Sequence, residues 1–142
     1  MYELIIREKN TTTKKPINVN KGKDVMKLLK PISDCPTEHG IVICLDGHNR
    51  VIHTQVIAIG TKNSGDIDLQ QVLKVVLIND STSFVFAHNH PSGKVRPSKA
   101  DKKLYKILYK AGMKIGVPCI NSLIVSKDKA YDMEHETTYH KR

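Results

Sequence analysis

The run Phe84-Val85-Phe86-Ala87, followed at once by His88-Asn89-His90-Pro91, constrains this chain more than any other stretch. Four apolar residues of high strand propensity read as a short buried strand. Residues i and i+2 of a strand face the same side, roughly 6.6 Å apart along the backbone, so His88 and His90 can converge on one metal ion. Pro91 then stops the strand. Ser92-Gly93 and Pro97 make a turning loop, and Ser98 to Asp101 opens a helix, bringing a carboxylate back toward the histidines. Ser98-Lys99-Ala100-Asp101 is also close to a capping box, which any helix start can carry. Three protein ligands with one position left open is the arrangement of a catalytic zinc, whereas structural sites are closed.

At 142 residues the chain has the length of a single domain, 1–142, and is large enough to bury a core without staples. Cys35, Cys44 and Cys119 are odd in number and lie in or beside apolar runs. They read as reduced core residues of a cytoplasmic protein, and no pair has metal-ligand spacing. No charged-then-apolar leader opens the sequence and no apolar run approaches about 18 residues, so neither secretion nor membrane spanning is expected. The net charge of +9 is unevenly placed. Lys94, Arg96, Lys99, Lys102, Lys103, Lys106, Lys110 and Lys114 crowd the segment after the histidines, with Asp101 alone opposing them. Such a field draws anions, nucleic acid included, although a solvated helix face has the same composition.

Around this centre the pattern alternates. Tyr2 to Arg7 reads as a first strand, and Glu8 to Lys15 as a polar loop. Asp24 to Lys30 has Val25, Leu28 and Leu29 at helical spacing, with Pro31 expected to end the helix. Ile41 to Leu45 is a continuous apolar run that belongs inside a sheet covered on both faces. Asp46-Gly47-His48-Asn49 is turn chemistry, so 41–59 reads as a hairpin. After the loop Gly60 to Gly65, Asp66 or Asp68 can cap a helix with Leu69, Val72, Leu73, Val76 and Leu77 on one stripe. A lysine-rich helix from Ser98 to Ala111, with Leu104, Ile107, Leu108 and Ala111 inward, is expected to close at Gly112. Met113 to Ile120 and Ser122 to Ser126 read as two strands, and 128–142 as a polar tail. Helices thus interleave with strands and hairpins, which predicts an α/β (α+β) fold: one mixed β-sheet flanked by helices.

His88-x-His90, seven residues, Ser98, two residues and Asp101 reproduce the H-x-H-x(7)-S-x(2)-D signature of the JAMM (MPN+) metalloproteases, which the sequence therefore resembles. The fuller string His88-Asn89-His90-Pro91-Ser92-Gly93 is similar to the RadC branch, whose members have been called DNA repair proteins. The likeness runs from about Asp24 to Tyr131, including Leu45-Asp46, Asn49-Arg50, Gly60-Thr61 and Leu123-Ile124-Val125. It implies the MPN/JAB architecture, which is cytidine-deaminase-like, and a Zn2+ ion held by His88, His90 and Asp101. It further implies that Glu38, just before the Ile41 run, is the general base and that Ser98 hydrogen-bonds the developing oxyanion. Two positions depart from the pattern. Gln55 stands where many RadC-like sequences carry an acid, and Asn121-Ser122 where an Asp-His pair usually precedes the Leu-Ile-Val run. The helix-hairpin-helix segment that often precedes such a domain is not found in this sequence.

The resemblance implies hydrolysis of an amide or isopeptide bond. A reading from another class is a non-enzymatic nucleic-acid-binding accessory with a structural metal, contacting phosphates through Lys94, Arg96, Lys99, Lys102, Lys103 and Lys106. Tyr2 to Arg7 is also an exposed strand that a substrate or second copy could pair with. A zinc deaminase needs H-x-E and P-C-x-x-C, and Pro118-Cys119 has no second cysteine. The letters His-Asn-His suggest a nuclease only inside a ββα finger, which the Pro-Ser-Gly loop argues against.

Overall fold

A computed structural model describes residues 17–19, 22–59 and 67–140. The expected strand Tyr2 to Arg7, the polar loop Glu8 to Lys15, the loop Gly60 to Gly65 and the candidate cap Asp66 lie outside the described residues. The elements run α1 (Gly22–Leu28), α2 (Lys30–Ser33), β1 (His39–Leu45), β2 (Val51–Ala58), α3 (Leu69–Ile78), β3 (Ser83–Asn89), α4 (Lys99–Ile115), β4 (Cys119–Val125), β5 (Lys129–Asp132) and β6 (Thr137–His140). The strands form one mixed sheet in the order β2-β1-β3-β4-β5-β6. Among the described strands only β3 and β4 pair in parallel, and α4 is the crossover that parallel neighbours require.

The side-chain period of two sorts the sheet into two faces. On one, Val25, Leu29 and Ile32 of the α1–α2 segment cover Ile41, Ile43, Leu45, Val85, Ala87, Leu123 and Val125. On the other, Val72 and Val76 of α3 with Leu104 and Leu108 of α4 cover Val42, Cys44, Ile57, Phe84 and Phe86. The central strands are therefore buried on both sides, as the unbroken apolar runs predicted, and every residue of β3 is buried. Phe84 and Phe86 are wholly inaccessible, each contributing about 1.5–3 kcal/mol by burial.

Several boundaries differ from expectation. Helix α1 ends at Leu28, before Pro31, which lies instead in the first turn of α2, where its missing N–H costs nothing. Asp68 is the cap of α3, accepting the N–H of Gln70 and of Gln71. Helix α4 runs past Gly112 to a left-handed cap at Gly116, absorbing the start of the expected strand Met113 to Ile120. Gly112 is instead a packing position: a Cβ there would lie 2.6 Å from the Val117 carbonyl oxygen and 2.9 Å from the Cys119 nitrogen. Ile107 faces solvent, and Asp101 and Gly112 share the buried stripe with Leu104 and Leu108. The expected tail from residue 128 onward contains the β5–β6 hairpin, because Ala130 and Asp132 alternate inward and Asp132 caps the turn through the His135 N–H.

Candidate metal centre

Strand β3 ends inside the sheet. The His90 N–H donates to the Val125 carbonyl at 2.9 Å, so the chain stays in register with β4 until Pro91 turns it away. Gly93, at φ 82°, completes a tight turn by donating to the His90 carbonyl. Buried Val95 anchors the loop, and Ser98 caps α4. The Ser98 Oγ accepts the Asp101 N–H at 3.1 Å, while the Asp101 carboxylate accepts the Ser98 N–H at 2.8 Å. This reciprocal box fixes the Asp101 side chain over the end of β3.

His88, His90 and Asp101 meet there. Their donor atoms lie within 4.8 Å of one another. His88 Nε2 stands 3.0 Å from Asp101 Oδ1 and 3.2 Å from His90 Nε2, and His90 Nε2 stands 3.3 Å from Asp101 Oδ2. Ligands at zinc bond lengths around a tetrahedral ion are roughly 3.3 Å apart, so the spacing fits. The protonation pattern fits as well. The His90 Nδ1–H donates to the Lys94 carbonyl at 2.8 Å, which leaves its Nε2 lone pair facing the other two donors. Lone pairs and a carboxylate this close require a shared proton or a cation between them. Among the described residues, His88 Nδ1, in contrast, is buried with no hydrogen-bond partner, so its outer nitrogen lacks the support that His90 has.

The electrostatics follow. Burial alone would raise the Asp101 pKa, but hydrogen bonds from His88, His90 and the Ser98 N–H outweigh it and hold the carboxyl far below the usual range. His90 is shifted upward, chiefly by its bond to Asp101 and against its burial, with the Lys94 carbonyl and the Glu38 charge adding to the effect.

Glu38, half-buried, immediately precedes β1. Gly40 pairs with His88, so continuing the register two residues sets Glu38 opposite His90, on the face that carries both imidazoles. What holds Glu38 there is Asn89, which sequence reasoning passed over. Lying between the two histidines, it points to the opposite face and is wholly buried. Its Oδ1 accepts the His39 N–H, and its Nδ2 donates to the carbonyls of Cys35 and Thr37 at 3.2 and 3.0 Å. The signal was available: a polar residue inside a buried strand needs partners, and strand alternation gives its direction.

Ser98 is exposed, and as the cap its oxygen is an acceptor, so its O–H remains to donate. Gln55 lies exposed on β2, with Oε1 3.2 Å from His53 Nε2. Asn121 accepts from the N–H of Ser122 and of Glu134, tying β4 to the hairpin turn. Of the basic residues, Lys94, Arg96 and Lys102 line a groove of about 510 Å³ with Lys129, Tyr131 and Thr138. Lys99, Lys103 and Lys106 lie on the solvent face of α4 instead.

A mixed three-layer α/β fold with two strand-end histidines and a helix-capping aspartate on one face defines a JAB-type domain. A family model for the RadC-like JAB domain matches residues 19–138, and the chain belongs to that family. It is 32% identical over 110 residues to a UPF0758 protein of Streptococcus agalactiae, covering 78% of this chain and 49% of that protein. It is 37% identical over 100 residues to a UPF0758 protein of Chlorobium chlorochromatii, covering 70% of this chain and 45% of the other. With a UPF0758 protein of Methanosarcina barkeri the identity is 27% over 137 residues, 96% of this chain and 60% of the relative. The chain thus spans about half the length of the first two and somewhat more of the third. Among the described residues, no helix is long and apolar enough to cross a membrane.

Proposed function

We propose that this chain is a zinc-dependent hydrolase of the JAMM type acting on an amide or isopeptide bond. The observation that carries the reading is the convergence of two Nε2 atoms and one carboxylate, with the His90 tautomer set by Lys94, on the face where Glu38 stands. His88, His90 and Asp101 would hold the ion. When bound, zinc supplies Lewis acidity and makes water acidic enough to react near neutral pH. Glu38 takes the proton of the attacking water and returns it to the departing nitrogen, as a general base and then a general acid. Ser98 donates its O–H to the carbonyl oxygen as negative charge develops there. Asp101 stays ionised throughout, held so by the Ser98 N–H and the two histidines.

The test is zinc content of the purified chain together with cleavage of a peptide and isopeptide panel. One zinc per chain is expected, with Glu38→Gln keeping the metal and losing cleavage. A parent protein without stoichiometric metal, or a Glu38→Gln variant as active as the parent, overturns the proposal.

A further inference from the structure

Two features of the surface meet at Lys102. The first is the groove beside the metal centre, lined by Lys94 and Arg96 from the loop, Lys102 from α4, and Lys129, Tyr131 and Thr138 from the hairpin. Its position follows from the sheet register. Gly40 pairs with His88, His88 with Ile124, Ile124 with Tyr131, and Tyr131 with Thr138. Paired residues share a face, so one lateral row carries His88 and the groove floor, with Tyr131 two strands, or about 10 Å, from the metal ligand. Among the described residues, none that lines the groove is acidic.

The second feature is a stripe. Lys99, Lys102, Lys103, Lys106, Lys110 and Lys114 are all exposed, and at 3.6 residues per turn they fall within a sector of roughly 120°. Along the 17 residues of α4 the stripe is about 25 Å long. Among the described residues, none of these lysines, nor Lys94, Arg96 or Lys129, takes part in a salt bridge. Unpaired cations in a line, running into a cationic groove with an aromatic ring on its floor, match a flexible polymer with regularly repeated negative charge and flat apolar groups. An acidic peptide supplies charge but no flat rings for Tyr131, and a duplex keeps its bases stacked away from it.

We propose that the groove and the α4 stripe bind single-stranded nucleic acid, with phosphates on Lys102, Lys129, Arg96 and the stripe and a base against Tyr131. The proposal does not rest on the hydrolase reading, since it requires neither bound metal nor Glu38.

The experiment is fluorescence anisotropy of the full chain with an end-labelled 20-nucleotide oligothymidylate across a salt series, with circular dichroism confirming that each variant is folded. The parent is expected to bind with a steep salt dependence. Lys102→Gln combined with Lys129→Gln is expected to weaken binding at least tenfold and to reduce the slope of log K against log salt by about 1.4, roughly 0.7 for each cation removed. Tyr131→Ala is expected to weaken binding by about 5- to 150-fold. Lys27→Gln, on α1 at the opposite face, should change it little, and Glu38→Gln should not change it. No salt-dependent binding by the parent, or unchanged binding by the double variant, overturns the proposal. So does tighter binding to a duplex of equal length, or equal competition by polyglutamate of matched charge. Zinc content of the same preparations is read separately, so that a failed groove and a failed metal site are told apart.

Discussion

Asn89 accepts the main-chain N–H of His39 through its side-chain carbonyl, stitching the segment before β1 to the end of β3. The same amide donates to the Cys35 and Thr37 carbonyls, so a single buried side chain sets the path of the three residues, 35–37, that lead to the candidate base Glu38. Asn89→Leu is expected to leave zinc content near that of the parent while lowering kcat more than tenfold, because Glu38 loses its support while the ligands keep theirs. Metal analysis paired with steady-state kinetics checks this, and Asn89→Asp should recover only part of the loss, since it restores the acceptor without the donors.

Ser98 and Asp101 cap each other, so the stability of α4 and the placement of a candidate metal ligand are coupled. Ser98→Ala removes the cap oxygen and is expected to cost about 1 kcal/mol in urea unfolding. Zinc affinity should fall by less than about tenfold, because the main-chain N–H at position 98 that holds the Asp101 carboxylate is kept and only the order of the helix start is lost. Equilibrium unfolding and chelator competition read the two effects. Ser98→Thr, which keeps the hydroxyl, should restore most of both.

Gly112 sits where a methyl group would press on the Val117 carbonyl and the Cys119 nitrogen. Gly112→Ala is expected to destabilise the fold by about 1–3 kcal/mol despite alanine's better helix propensity, because the contact is with backbone that cannot swing away. Denaturant midpoints would show it. An increase in stability would mean that α4 can lift off β4 freely.

The three thiols should differ sharply. Cys44 and Cys119 are wholly buried, and burial pushes both upward, Cys119 to about 12. Cys35 is partly exposed. An alkylating reagent under native conditions is expected to modify Cys35 alone, with the other two reacting only as fast as the protein unfolds. Mass mapping at timed intervals distinguishes them.

His135 offers a pH reporter away from the candidate metal centre. Its Nδ1–H lies against the buried Asp132 carboxylate at 3.0 Å, and this bond raises its pKa. A raised folded-state value means that the bond's stabilisation is fully present below the unfolded pKa near 6.5 and is lost as pH rises through the folded value. NMR titration of the His135 ring should give a midpoint above that of a model peptide. His135→Gln should flatten the corresponding part of the stability profile.

The parts legible in the sequence were those with local periodic or spacing signals. The His88-x-His90 pair, the Ser98 to Asp101 helix start and the runs at Ile41 and Phe84 each state their geometry within a few residues. Three features were not legible, each because a distant contact decides it. Gly112 looks like a helix stop until Val117 and Cys119 are seen to fill the space its side chain would take. The segment from residue 128 onward looks polar because two of its inward residues, Ala130 and Asp132, are small or charged, and Asp132 is accepted inside through its bonds to His135. The groove depends on Lys129 and Tyr131 arriving across β4, which no spacing rule near residue 94 foretells.

The parallel pairing of β3 with β4 through α4 has a consequence for assembly. All three candidate metal ligands lie within one short stretch, residues 88–101, joined by a loop braced by His90 and Lys94. Closing so small a loop costs little entropy, whereas Glu38 and the groove wait on contacts from chain far on either side. The three candidate ligands can therefore come together early in folding, with Glu38 and the groove added around them afterwards.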